Sequence, residues 1–404
     1  MKYVLGAQCV KCGREYDAVP DLTTCSCGGI LDIVYDYAAI RRDVSPRDLE
    51  DCRDYSMWRY RPFLPVEADS APTPLRVGWS PLYPAPRLAR ALGLKALYLK
   101  DDGQNPTASL KDRASALAVV KAREAGADTI ACSSTGNAAS SLAGNAAAAG
   151  LSTYIFVPSR APKGKVAQLR IFGSTVISVD GSYEDTFALS KAAIDRWGWY
   201  NRNAAVNPYL SEGKKTVTLE ILEQLGWRTP DYIALSVGDG CTIAGAWKGL
   251  KDLYAAGFIE RLPRLISVQA QGCCPLNRAI QTGTPWTPMA ENTLADSIAV
   301  GVPRNPDKAL NAIRESDGIA VNVSDDEILA AMRLLGRTQG VFGEPAGVTG
   351  TAGVKKALEL GLISPDSTVV SIVQNGIRAA GEPMLVRPEL DALLDAFASH
   401  GIAP

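Results

Sequence analysis

Ala96-Leu97-Tyr98-Leu99-Lys100, then Gln104-Asn105-Pro106-Thr107-Ala108-Ser109-Leu110-Lys111-Asp112-Arg113, then Thr129-Ile130-Ala131-Cys132-Ser133-Ser134-Thr135-Gly136-Asn137: this stretch decides the fold. The first piece is a short apolar strand. A turn of small polar residues follows, and Lys111 to Ala125 has an Ala-rich helical pattern that closes at Gly126. Thr129 to Cys132 is a second strand, Asn137 to Ala149 a second helix stopped by Gly150, and Thr153 to Val157 a third strand.

Outward from there the alternation continues. Helices are predicted at Lys165 to Phe172, Tyr183 to Trp197, Lys215 to Leu225 and Asp325 to Arg337. Strands are predicted at Thr175 to Val179, Tyr232 to Val237, Arg264 to Val268, Ala320 to Val323 and Thr368 to Val373. Strand–helix alternation over about 300 residues implies an α/β fold of open parallel sheets with helices on both faces, and two lobes suit the length. Before it, residues 36–70 read as a helix and linker, and Pro72 to Pro86 as an extended connection, because proline resists regular structure.

Composition narrows the chemistry. The chain has 404 residues, is 47% apolar and carries a formal charge of −1, which argues against a general nucleic-acid binder. No apolar run approaches the roughly 18–20 residues of a membrane span. The Met1-Lys2-Tyr3-Val4-Leu5-Gly6 start lacks a hydrophobic signal core, so the expectation is a cytoplasmic protein. A single histidine, His400, argues against a Ser-His-Asp triad, a Cys-His dyad or a His-rich metal centre. A proton shuttle must then use a carboxylate, a perturbed lysine, a cysteine or a cofactor.

Of nine cysteines, four cluster as Cys9-x2-Cys12 and Cys25-x-Cys27, with Gly13 and Gly28-Gly29 behind them. This looks like a zinc ribbon of four thiolates, which would leave no open position on the metal and would be structural. A ribbon without metal is the plainer alternative. The remaining cysteines have no metal spacing.

Three strand-to-helix junctions carry candidate chemistry, since ligands of open α/β sheets bind there. Lys111 stands in the first turn of a helix, where the backbone amides disfavour its charged form. Such a lysine can form a Schiff base, although a solvated first-turn lysine is the simpler reading. Ser133 to Asn137 form a hydroxyl-rich loop opening a helix, suited to a carboxylate or to ordinary capping. Ser236-Val237-Gly238-Asp239-Gly240-Cys241-Thr242 follows a strand with glycines that permit close backbone approach to a phosphate. Lysine, carboxylate cradle and phosphate loop together are what pyridoxal phosphate requires.

At these residues the chain resembles the fold-type II pyridoxal-phosphate enzymes of the tryptophan synthase β-like family, and within them the threonine synthases. The similarity runs from about Pro72 to Asn375. It is carried by Asn105 to Arg113, Ser133 to Asn137, Gly164-Lys165, Gly181 to Asp185, Asn207-Pro208-Tyr209, Glu212 to Thr216 and Gly343-Glu344-Pro345-Ala346. The resemblance implies a cysteine ribbon at 1–35, a large cofactor-binding domain at 36–110 and 205–404, and a small α/β domain at 111–204.

It further implies that Lys111 holds the cofactor aldehyde and moves protons, and that Asn137 bonds the ring hydroxyl. Gly238, Asp239, Gly240, Cys241 and Thr242 would hold the cofactor phosphate. Ser134, Thr135 and Gly136 would hold the substrate carboxylate, with Arg160, Lys165 and Lys214 on the substrate phosphate. Cys9, Cys12, Cys25 and Cys27 would hold structural zinc. The implied reaction turns O-phospho-L-homoserine and water into threonine and phosphate, in a homodimer with a small amino-acid substrate.

The chain also departs from the pattern. Leu210 stands where an arginine usually follows Asn-Pro-Tyr, Asp239 and Cys241 replace Asn and Gly, and the family's Thr-Gly-x-Gly turn, whose Thr faces the ring nitrogen, is shortened to Gln374-Asn375-Gly376, where the resemblance implies that Gln374 would hydrogen-bond that nitrogen. Alternatives are β-replacement on O-phosphoserine, as in cysteate synthase, and a serine/threonine dehydratase. A zinc-ribbon interaction protein with an inactive enzyme lobe is the reading from another class.

Overall fold

The computed structural model describes residues 1–375 apart from 160 and 162. Arg160, Gly376 and the chain beyond it lie outside the described residues. The strands are β1 (Val4–Cys9), β2 (Glu15–Tyr16), β3 (Leu31–Tyr35), β4 (Leu82–Pro84), β5 (Ala96–Asp101), β6 (Thr129–Ser133), β7 (Ser152–Pro158), β8 (Thr175–Val179), β9 (Tyr200–Asn201), β10 (Tyr232–Ser236), β11 (Arg264–Ala270), β12 (Ile319–Val323) and β13 (Thr368–Val373).

They form three sheets: β2-β1-β3, β12-β11-β10-β13-β5-β4 and β8-β7-β6-β9. The first is the antiparallel ribbon. The third is parallel throughout, and the second is parallel except where β4 runs against β5. The α/β expectation holds, with corrections in particular segments. The Pro-rich stretch contains a strand, Leu82 pairing with Lys100 and Pro84 with Tyr98, at the sheet edge where a missing N–H is tolerated.

Helices cover the sheets because their small-residue faces pack closely. Lys111–Glu124 and Asn137–Ala149 agree with the sequence within a residue. The next central helix begins at Tyr209 rather than Lys215. The Asn207 side chain accepts from the Tyr209 amide at 2.9 Å and starts it. Its first turns are polar yet buried, which hides them from a periodicity reading. Gly213 lets this helix touch the Lys111 helix, for a Cβ there would lie 2.3 Å from the Arg113 carbonyl.

Residues 36–70 also differ from a helix and linker. Tyr37–Asp43, Pro46–Glu50 and the 3₁₀ segment Met57–Phe63 pack into the same apolar core as the ribbon and the larger sheet. A second core fills the opposite face of that sheet, and a third packs around the β8-β7-β6-β9 sheet.

A buried ionic cluster ties the sheet to both central helices. Arg113 donates to Asp102 at 2.7 Å and to both oxygens of Glu220 at 2.5 and 2.8 Å, and Lys100 meets Glu220 at 2.7 Å. All four side chains are fully buried. The cluster fixes the start of the Lys111 helix against the carboxyl end of β5.

Candidate active site

The residues that follow β6 and β10 line one crevice with Lys111, and Gln374, just after β13, meets the Lys111 side chain. Lys111 is the first residue of its helix, placed there by a turn in which Ala108 adopts φ +61°. Asp112 holds that turn, accepting from the Thr107 amide at 2.9 Å and from Asn145 at 2.9 Å. The Lys111 Nζ donates to Gln374 Oε1 at 3.4 Å, an oxygen that also accepts from Ser109 Oγ and the Leu110 amide. Burial lowers the Lys111 amine to about 8; Glu344 opposes the shift and Lys214 adds to it.

Two compartments meet at Lys111. The inner one is a cavity of about 70 Å³ lined by Lys111, Arg202, Lys214, residues 236–243, Ser297 and Ile298. Gly240 caps the Cys241–Ala255 helix with φ +84°, where a side chain would be strained. At Gly238 a Cβ would stand 2.8 Å from Ile298 Cα, so this wall needs glycine. Asp239 accepts from the Arg304 amide at 3.1 Å, and its own carbonyl accepts from Asn305 N at 2.9 Å. The acidic residue in this glycine turn is thus engaged by a neighbouring backbone amide.

The outer compartment, about 400 Å³, is lined by Lys111, Ser134, Thr135, Gly136, Asn137 and Lys165, with Glu291 and Asp296 opposite. Lys165 pairs with Asp296 at 3.1 Å across it. Asn137 Nδ2 donates to Glu344 Oε1 at 2.7 Å, and Gln374 Nε2 reaches the same oxygen at 3.3 Å.

The structure therefore brings Lys111, Asn137, Gln374 and residues 238–242 to one place. Lys214 lies with the glycine turn rather than with Ser134–Gly136. Leu210 is buried in the apolar core around the β8-β7-β6-β9 sheet. Arg160 is outside the described residues. Sequence reasoning gives no role to Arg202 or Glu344. Glu344 is within its reach, standing directly before Pro345 at a helix start; Arg202 sits in a loop with no motif.

In the ribbon, the Sγ atoms of Cys9, Cys12, Cys25 and Cys27 all lie within 4.8 Å of one another. The separations of Cys9 from Cys27, Cys12 from Cys25 and Cys27 from Cys12 are 3.6, 3.6 and 3.5 Å. Tetrahedral zinc with its usual thiolate bonds needs about 3.8 Å between sulfurs. Gly29 is required here, since a Cβ would come within 2.5 Å of Cys9 Sγ. The donor set and spacing fit zinc.

The crevice also fits pyridoxal phosphate. It offers an amine of lowered basicity, an anion cup at a helix N-terminus lined by buried cations, and amide side chains between them.

Comparison with known proteins agrees. The pyridoxal-phosphate dependent enzyme family matches residues 74–375. A threonine synthase of Methanosarcina acetivorans is 40% identical over 402 residues, covering 96% of this chain and 98% of that protein. One from Methanocaldococcus jannaschii is 38% identical, with 96% and 98% covered. One from Mycobacterium leprae is 37% identical, with 79% and 87% covered. Among solved structures, the processed form of threonine deaminase isoform 2 from Solanum lycopersicum aligns with TM-score 0.62 at 20% identity, covering 80% of this chain and 88% of that one. Maize serine racemase aligns with TM-score 0.64 at 22% identity over 80% and 92%. At these identities both structures speak for the fold.

Proposed function

The chain belongs to the pyridoxal-phosphate dependent enzymes and, within them, to the threonine synthases, and we propose how its residues carry that chemistry. It is a lyase that turns O-phospho-L-homoserine and water into L-threonine and phosphate. The observation that carries the residue assignment is that Lys111 and the Gly238–Thr242 turn line one cavity.

Pyridoxal phosphate, when bound, supplies the electron sink that stabilises a carbanion next to the amino group. Lys111 Nζ would hold its aldehyde and, released from it, carry protons to and from substrate carbons. An amine lowered to about 8 suits both donating and accepting near neutral pH. Gly238 to Thr242 would hold the cofactor phosphate, Asn137 would bond its ring hydroxyl, and Gln374 would bond its ring nitrogen. Glu344 would position Asn137 and Gln374, because one of its oxygens accepts from both. Ser134, Thr135 and Gly136 would bind the substrate carboxylate, and Lys165, with Arg160, the substrate phosphate.

A product assay tests this reading. O-phosphohomoserine is expected to yield threonine and phosphate in equal amounts, with O-phosphoserine inert. A keto acid made from threonine, or replacement on O-phosphoserine, would contradict it.

We further propose that residues 111–204 act as the small domain, that the enzyme works as a cytoplasmic homodimer, and that the four ribbon thiolates bind one structural zinc. Cys9→Ser should lose that metal and lower the melting temperature by roughly 5–10 °C while kcat in the folded fraction stays near wild type. Metal analysis and thermal melts check this; a kcat collapse in fully folded protein would show that the ribbon has a catalytic part.

A further inference from the structure

We infer that Arg202 and Lys214 form a cation pair that binds the cofactor's phosphate, completing the cup that the Gly238–Thr242 turn begins. The inference rests on the cofactor reading above and adds two residues from outside the glycine turn.

Elsewhere among the described residues each buried lysine or arginine meets a carboxylate: Arg59 with Glu223, Lys100 and Arg113 with Glu220, Lys121 with Glu124, Lys215 with Glu212, Lys248 with Asp252, and Lys308 with Asp32. Arg202 and Lys214 are as deeply buried, at 2% and 4% exposure, yet among the described residues no carboxylate lies within ion-pair distance of either. The Arg202 Nε and Nη2 rest on the hydroxyl of Ser115, at 3.2 and 3.1 Å, which contributes no charge. An uncompensated buried cation is strongly destabilising, so two of them facing one cavity point to an anion supplied by a ligand.

Position identifies which anion. Both side chains line the inner cavity with residues 236–243, and neither lines the compartment of Ser134–Gly136 and Lys165. Gly245 makes room for this placement, since a Cβ there would stand 2.9 Å from Lys214 Cβ. The charged groups facing the cavity are Lys111, Arg202, Lys214 and Asp239. Two net positive charges remain when Lys111 is protonated, and one when it is neutral. A phosphate dianion answers that excess, and the two cations offset the presence of an acid in the turn. Burial lowers both Arg202 and Lys214 from their usual values, so an anion beside them would favour their charged forms.

The test compares pyridoxal phosphate with pyridoxal, which has the aldehyde but no phosphate. The full chain is freed of cofactor, and each compound is titrated in by visible absorbance. The wild type should favour the phosphorylated form strongly. Lys214→Ala and Arg202→Ala should each weaken pyridoxal phosphate by about tenfold or more and leave pyridoxal within about twofold. Inorganic phosphate should raise the melting temperature of the wild type but not of the double variant. Lys214→Gln, close to the native volume, guards against a packing artefact and should behave like Lys214→Ala. Unchanged preference for pyridoxal phosphate in the variants, with only the KM for O-phosphohomoserine raised, would overturn the inference and assign the pair to the substrate. Absence of any absorbance change with the wild type would instead overturn the cofactor reading itself.

Discussion

Lys111→Ala is expected to remove the absorbance band of the bound cofactor and to lower kcat by at least ~10³-fold, since one amine both holds the aldehyde and moves the protons. The fold should survive, because the helix that begins at Lys111 is anchored by Arg113 and by Asp112 rather than by the Lys111 side chain. Lys111→Arg should be equally inactive, as a guanidinium does not release its proton. Both variants should still retain pyridoxal phosphate without the covalent link, through the turn at 238–242. Absorbance spectra and single-turnover assays check this. A variant that kept turnover would show that the base and the anchor lie elsewhere.

The second large effect concerns stability. Glu220 is fully buried between Arg113 and Lys100. Burial alone would raise its carboxyl, yet Arg113 and then Lys100 hold it down at about 2. Its folded value is depressed, so its contribution is present above the unfolded glutamate range and is lost as pH falls toward 2. Glu220→Gln should destabilise the chain by about 3–5 kcal/mol, because Lys100 loses its carboxylate and Arg113 keeps only Asp102. Urea unfolding at neutral pH measures this, and the gap to wild type should shrink in acid. A variant within about 1 kcal/mol of wild type would contradict the role given to the cluster.

Much of this architecture can be read from the chain itself, for definite reasons. The strand and helix around Lys111 show because Ala96 to Lys100 and Lys111 to Ala125 have different periods and a polar turn separates them. The ribbon shows because metal spacing is local. What does not show depends on distant contacts. The strand Leu82–Pro84 is hidden by prolines and becomes a strand through Lys100 and Tyr98 across the edge. Trp58, Arg59 and Tyr60 read as part of a helix and linker but are buried, with Glu223 accepting from both Arg59 and Tyr60. Arg202 and Lys214 are 12 positions apart and belong to no shared motif; only the closed crevice sets them on the same wall. Asp239 looks awkward beside a phosphate in the sequence, and the Arg304 amide that engages it is 65 positions away.

The most direct measurement is to reduce the cofactor-loaded protein with borohydride, digest it and locate the pyridoxyl mass on the peptides. The label is expected on Lys111 alone. A label on Lys214, Lys165 or any other lysine, with Lys111 unmodified, would contradict the account.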